Sequence, residues 1–347
     1  MMPRSTPETH GMSSQYILDL LDAFDYADAE VHNILMAIDG EVVFEGHYAP
    51  YTALDPHIMF SGTKIFTNAA VGVAVTEGYL HLDDYVYDVL KDYVTQDVSE
   101  LQSKVQLKHL LTMTSGVDRF MSGSELRPLT TSWIEHILTE PIVHEPGTYY
   151  LYSSGNTMLS SAMVTVATGK TCLELLNTTG FCEELGIKNF TWDMSPDGFN
   201  AGHGGIKITA EDLAKIASAC YANETYMQAA NTLTYTLPAT NLHQNERTIK
   251  STNLMLDPEY AYHRDYVRGM KTGFTTLAGR CFVTFAQKDG HTYGLVILGS
   301  NSQNIFREAA ELFDWAFTSP ELHPAPAEPE VEPEKHGLSA FWHKVFG

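Results

Sequence analysis

Ile17, Leu18, Leu21 and Phe24 recur at helical spacing between Tyr16 and Ala29, and the spacing predicts an amphipathic helix there. Val31–Ile38 and Glu41–Tyr48 are β-rich runs, and the Asp39-Gly40 pair between them is a two-residue hairpin signal. A second such pair, Gly279–Lys288 and His291–Leu298, alternates around Asp289-Gly290. Helical periodicity returns over Ile65–Glu77, closed by Gly78, and over Leu213–Tyr221, led in by Thr209-Ala-Glu-Asp212 as a capping box. Ile305–Ala316 predicts a last helix. From Leu80 to about Asn200, helix-like segments dominate and few runs alternate. Strands near both ends with helices between predict one α/β domain, residues 15–79 and 201–318, carrying a mostly helical insertion at 80–200.

The two ends read differently. Residues 1–14 are polar and are expected to be disordered. Residues 319–335 are rich in proline and glutamate, the composition of a stiff, solvated linker. In the last segment, 336–347, Leu338, Phe341, Trp342, Val345 and Phe346 form an apolar stripe at helical spacing. So short a helix is ordered only when docked, and the tail is expected to make a weak membrane or protein contact.

A chain of 347 residues allows two domains, or one with an insertion. Its 43 acidic and 21 basic residues give a net charge of −22, which repels nucleic acid and excludes a role in binding it. Four cysteines without a short-spaced pair are no disulfide framework; free buried thiols are expected, Cys172 and Cys182 included. The fifteen histidines show no metal spacing, so no metal is expected. Met1–Gln15 has no apolar core of a leader, which predicts a cytoplasmic protein; the alternative is the cell envelope after leader removal.

Chemistry concentrates in three places. Ser61-Gly-Thr-Lys64 is the only S-x-x-K in the chain, and i, i+3 spacing on a helix puts hydroxyl and amine on one face. At a helix start the Ser61 N–H favours a developing oxyanion, and a desolvated neutral Lys64 can take the serine proton. The same spacing by itself also suits a capping serine beside a solvated lysine. Lys271-Thr272-Gly273 precedes the second hairpin: Lys271 and Thr272 can bind a substrate carboxylate, Gly273 allows close backbone approach, and the Phe274 N–H can join that of Ser61 around an oxyanion. Tyr152-Ser-Ser-Gly-Asn156 precedes an apolar helix, and a tyrosine hydroxyl between two lysines can relay a proton.

These motifs, in this order, resemble the serine β-lactamase and penicillin-binding-protein superfamily, nearest its class C β-lactamase-related branch with DD-peptidase and esterase relatives. Gly78-Tyr-Leu-His-Leu-Asp-Asp84, Leu110-Leu-Thr-Met-Thr-Ser-Gly116, Glu145-Pro-Gly147 and Gly204-Gly-Ile-Lys-Ile-Thr-Ala-Glu-Asp-Leu213 support the likeness. It implies an antiparallel sheet flanked by helices, with a site in the groove beside the helical insertion. It further implies a serine hydrolase working through an acyl-enzyme without cofactor, on a D-Ala-type peptide, a β-lactam or a small ester. The other reading is a penicillin-binding sensor or scaffold that acylates without turnover. By this resemblance Ser61 is the nucleophile, Lys64 its base and Tyr152 the proton shuttle of a Y-x-N motif. Position 154 is serine where class C enzymes usually have asparagine, which removes the side chain that recognises a substrate amide. Ser154-Gly-Asn156 is also similar to the S-x-N motif of DD-carboxypeptidases, in which Ser154 would be the shuttle and Asn156 would bind substrate. Lys271-Thr-Gly-Phe-Thr275 is similar to a carboxypeptidase run that places the Thr275 hydroxyl beside a substrate carboxylate. Met113 stands where the family often has histidine.

Overall fold

The computed structural model describes residues 1–26, 31–187, 190–239, 244–275, 278–301 and 305–317. Both hairpins form. β1 (Asn33–Ile38) turns into β2 (Glu41–His47), and β4 (Gly279–Lys288) turns into β5 (His291–Ser300). Asp39 and Gly40 have φ 48° and 89°, and Asp289 and Gly290 have φ 52° and 83°. Positive φ at both turn residues is what a two-residue hairpin needs to match strand twist. With β3 (Val267–Thr275) these strands make an antiparallel sheet in the order β2-β1-β5-β4-β3. Its centre joins the two ends of the chain, because β1 pairs with β5 from Asn33↔Leu298 to Ile38↔Tyr293.

Every residue of β1 is buried because both faces of the sheet are covered. Ile34, Met36 and Ile38 point into one core with α1 (Ser14–Tyr26) and α5 (Ile305–Phe317). Leu35 and Ala37 point into the other. That second core runs without a break through α2 (Thr63–Thr76), α3 (Ser154–Thr168) and α4 (Ala210–Tyr221). It continues into the short helices of the 80–200 segment, such as Trp133–Leu138 and Cys172–Thr178. The helical segment and the sheet therefore share one apolar interior. α2 packs against α3, and its buried positions circle most of its surface, as they must in a helix enclosed on all sides. Thr209 caps α4, its side chain accepting from the Asp212 N–H.

Residues 1–14, expected to be disordered, are instead tied down. The Val42 N–H donates to the Pro3 carbonyl at 2.8 Å and the Ser5 N–H donates to the Val42 carbonyl at 3.0 Å, extending the sheet at its β2 edge. Arg4 pairs with Glu45 at 2.5 Å and with Glu211 at 2.9 Å, and Met12 is buried in the core under α1 and α5. A free strand edge and two carboxylates distant in sequence supply what local composition lacks. All four cysteines are free and buried. The 319–335 linker and the 336–347 tail lie outside the described residues. Among the described residues, no helix is long and apolar enough to cross a membrane.

Candidate active site

Ser61 sits in a 3-10 turn, Phe60–Gly62, that runs directly into α2. Phe60 has φ 40°, a left-handed conformation that a bulky residue adopts only when its surroundings impose it. Two contacts impose it here. The Arg127 guanidinium lies 5.0 Å over the Phe60 ring, and the backbone of Gly204 presses so close that a Cβ there would meet the Phe60 Cα at 3.3 Å.

Lys64 is one turn further on and is buried. Its Nζ donates to Ser61 Oγ at 3.3 Å and to the His203 carbonyl at 2.9 Å. Burial disfavours the ammonium form and pushes its pKa down to about 8. Tyr152 closes the cluster: its hydroxyl donates to Ser61 Oγ at 3.1 Å, and its ring centroid lies 5.1 Å from Lys64 Nζ. The tyrosine is held from both sides, by the Leu151 N–H donating to Met113 O at 2.9 Å and the Ser154 N–H donating to Met121 O at 2.9 Å. Phe120 stacks on its ring at 6.0 Å. The structure thus brings Ser61, Lys64 and Tyr152 together around one oxygen.

The remaining expected residues divide. Ser154 is buried at the first turn of α3, and the contact with Ser61 Oγ from this loop comes from Tyr152. Asn156, expected to bind substrate, is also buried: Ser115 Oγ donates to its Oδ1 at 2.8 Å, and its Nδ2 donates to Met113 Sδ at 3.6 Å. Its amide fastens α3 to the loop at Met113, which has a positive φ of 56°. Met113, where the family often has histidine, acts as that amide's acceptor.

β3 is the edge strand beside the Phe60–Gly62 turn and carries the third motif. Protein packed around Lys271, together with the Lys64 charge, lowers its ammonium pKa, partly offset by Tyr152. Lys271 and Thr272 were expected to hold one carboxylate, but each has its own partner. Lys271 Nζ donates to the Thr272 carbonyl at 2.5 Å, and the Thr272 hydroxyl is 2.7 Å from that of Thr252. Carboxylate binding by both would require each to exchange its partner. Gly273 is not demanded by the protein's own packing: a Cβ there would meet Cys281 Cβ and Met59 O at 3.8 Å, an ordinary contact. The Phe274 ring is exposed beneath the Arg280 guanidinium at 5.0 Å, leaving its backbone N–H as the oxyanion candidate. Thr275 ends β3, and its side chain lies outside the described residues.

Residue-type reasoning missed the Gly202–Gly205 loop as part of the site. Thr67 Oγ1 donates to Gly202 O at 2.7 Å, and Thr63 Oγ1 accepts from the N–H groups of Gly205 and Ile206 at 3.1 and 3.2 Å. These bonds fix the loop to the first two turns of α2 and place the His203 carbonyl on Lys64. Gly202 cannot be larger, because a Cβ would lie 2.3 Å from the Thr157 carbonyl oxygen. The His203 imidazole is buried beside Trp133 at 5.7 Å, and burial pushes its pKa down to about 3, so it is neutral. The signal was in the sequence as Gly-His-Gly-Gly, a run that allows close backbone approach.

Comparison with known proteins shows the family and the fold. The family model described as Beta-lactamase matches residues 33–306. A putative 6-aminohexanoate-dimer hydrolase from Bacillus anthracis is similar with a TM-score of 0.62 at 15% identity, over 92% of this chain and 88% of that one. A class C beta lactamase is similar with a TM-score of 0.58 at 14% identity, over 89% and 99%. Acyltransferase mokF of Monascus pilosus is 28% identical over 160 residues, 40% of this chain. That match spans 38% of the length of the acyltransferase.

Proposed function

Because the chain belongs to the Beta-lactamase family, we propose that it is a serine hydrolase acting through a Ser61 acyl-enzyme, with small esters as its preferred substrates. The observation that carries the chemistry is the convergence of Lys64 Nζ and Tyr152 OH on Ser61 Oγ, at 3.3 and 3.1 Å. With a pKa of about 8, roughly one tenth of Lys64 is neutral at pH 7, and that form accepts the serine proton as Ser61 attacks the carbonyl. The N–H groups of Ser61 and Phe274 receive the developing oxyanion. Tyr152, in contact with Ser61 Oγ and close to Lys64, passes a proton to the leaving oxygen, and water then releases the acyl group.

The preference for esters rests on the loop after Tyr152. Position 154 is a buried serine and the Asn156 amide is committed to Ser115 and Met113, so neither is available for a substrate amide. A second reading follows from the curated relatives, which are named as acyltransferases: an acceptor hydroxyl would replace water in the second step. The test is intact-mass measurement after exposure to p-nitrophenyl acetate, a penicillin and a D-Ala-D-Ala peptide, with an added alcohol as acceptor in one arm. Transient acylation by the ester with turnover supports the proposal. A stable penicillin adduct without product supports a sensor, and ester formed with the alcohol supports acyl transfer.

A further inference from the structure

A cavity of about 440 Å³ lies away from the groove, between α2, α4 and the Glu224–Ala230 helix. Ile65, Phe66 and Ala69 from α2 face Ile216 and Cys220 from α4 across it. Among the described residues, every side chain lining it is uncharged. The polar lining includes Asn68 and Thr225, both exposed, and Tyr226, a phenol whose pKa burial raises. Its volume falls within the range of small-molecule sites, roughly 300–1,000 Å³, and apolar walls with a few polar groups are their usual lining.

The cavity is not an extension of the substrate groove. Ile65, Ile216 and Cys220 also line a slot that reaches Gly62 and Lys271–Gly273, but that slot holds only about 30 Å³. Such a gap admits about one or two waters and no acyl chain. The absence of charge among the lining residues argues against a carboxylate or an amine, and so against a charged product of hydrolysis.

We propose that this cavity binds a small neutral molecule with an alkyl or aryl body and one hydroxyl-type polar end, separately from the substrate. The apolar body lies against Phe66, Ile216 and Cys220, and the polar end meets Asn68 and Thr225. The test is calorimetric titration of the full chain with 1-octanol up to its solubility limit. Saturable binding at one site is expected. Ala229→Trp and Asn68→Trp, both at exposed wall positions, should each weaken it at least about tenfold, a difference of about 1.4 kcal/mol. Phe120→Trp, in the groove beside Tyr152, should leave it unchanged. No saturable binding by the unaltered protein overturns the proposal. So does binding that survives both wall substitutions or is lost with Phe120→Trp, because octanol would then sit elsewhere. The readout is binding alone, so failure of the hydrolase reading and failure of this one are distinguishable.

Discussion

Glu308 is fully buried in α5, against the sheet face opposite the helices of the site. Neither carboxyl oxygen meets hydrogen-bond geometry with any described residue. The Ser300 hydroxyl is near enough to soften the effect, but it donates to the Asn301 carbonyl at 3.2 Å instead. Burial therefore dominates and pushes the Glu308 pKa from 4.5 up to about 7. An acid whose folded pKa is raised binds its proton more tightly in the native state. Stability is then highest below the unfolded pKa and falls as pH rises from about 4.5 to about 7, where it levels off. At about 1.4 kcal/mol per pH unit the whole fall is about 3 kcal/mol.

Glu308→Gln removes the titration and keeps the shape. Its amide carries a pH-independent cost of about 1–3 kcal/mol if it finds no partner. The informative quantity is therefore the difference in unfolding free energy between variant and parent as a function of pH, measured by urea denaturation. That difference should shift in the variant's favour by about 3 kcal/mol between about pH 4.5 and pH 8. Contributions from His57 and His203, which burial also shifts, cancel in the comparison. A difference that stays flat across the range would refute the reasoning: the carboxyl would then have a partner or water that keeps it near its ordinary pKa.

Four further outcomes are expected. Ser61→Ala should fold normally and lose at least about a thousandfold in acylation and hydrolysis by mass labelling and turnover, as removal of a nucleophile acting within such a unit does. The acylation rate should rise with pH and level off with an apparent pKa of about 8, because the neutral form of Lys64 is the active one; a limb that begins only at an ordinary lysine value would point to another base. Lys271→Met should raise KM for a penicillin, which carries a carboxylate, while leaving KM for p-nitrophenyl acetate nearly unchanged. Gly202→Ala drives a methyl into the Thr157 carbonyl and should cost roughly 3 kcal/mol in urea unfolding, with loss of activity as the His203 carbonyl leaves Lys64.

Features written in neighbouring residues were legible in the sequence. The Asp39-Gly40 and Asp289-Gly290 turns require positive φ, which Gly supplies freely and Asp tolerates, so both hairpins could be located to within a residue or two. The S-x-x-K spacing placed Ser61 and Lys64 on one face for the same local reason. Features set by distant partners were not legible. The polar N-terminal arm is ordered by Glu45 and Glu211, and by an edge of β2 that exists only in the folded sheet. Asn156 had a plausible motif position, but its orientation depends on Ser115 and Met113 across a helix that is buried on nearly all sides. β3 was not legible as a strand, because Gly269 and Gly273 interrupt the alternation of an edge that touches the Phe60–Gly62 turn.

The His203 carbonyl shows why one of these long-range contacts matters to the chemistry. A lysine serves as a base near neutral pH only if it is held in place without being held charged. A carboxylate would hold it, but at about 4 Å and an effective dielectric near 20 it would favour the ammonium by about 4 kcal/mol, or about three pH units. That would return Lys64 from about 8 to an ordinary lysine value and leave almost no base at neutral pH. A backbone carbonyl at 2.9 Å supplies direction with no net charge. The neighbouring imidazole, neutral because it is buried, adds none either. Placing that carbonyl beside Lys64 brings Gly202 against the Thr157 carbonyl and Gly204 against Phe60, which residues with side chains would obstruct. The glycines of the loop thus help to position a lysine 139 positions away from His203 in the sequence without placing a charge beside it.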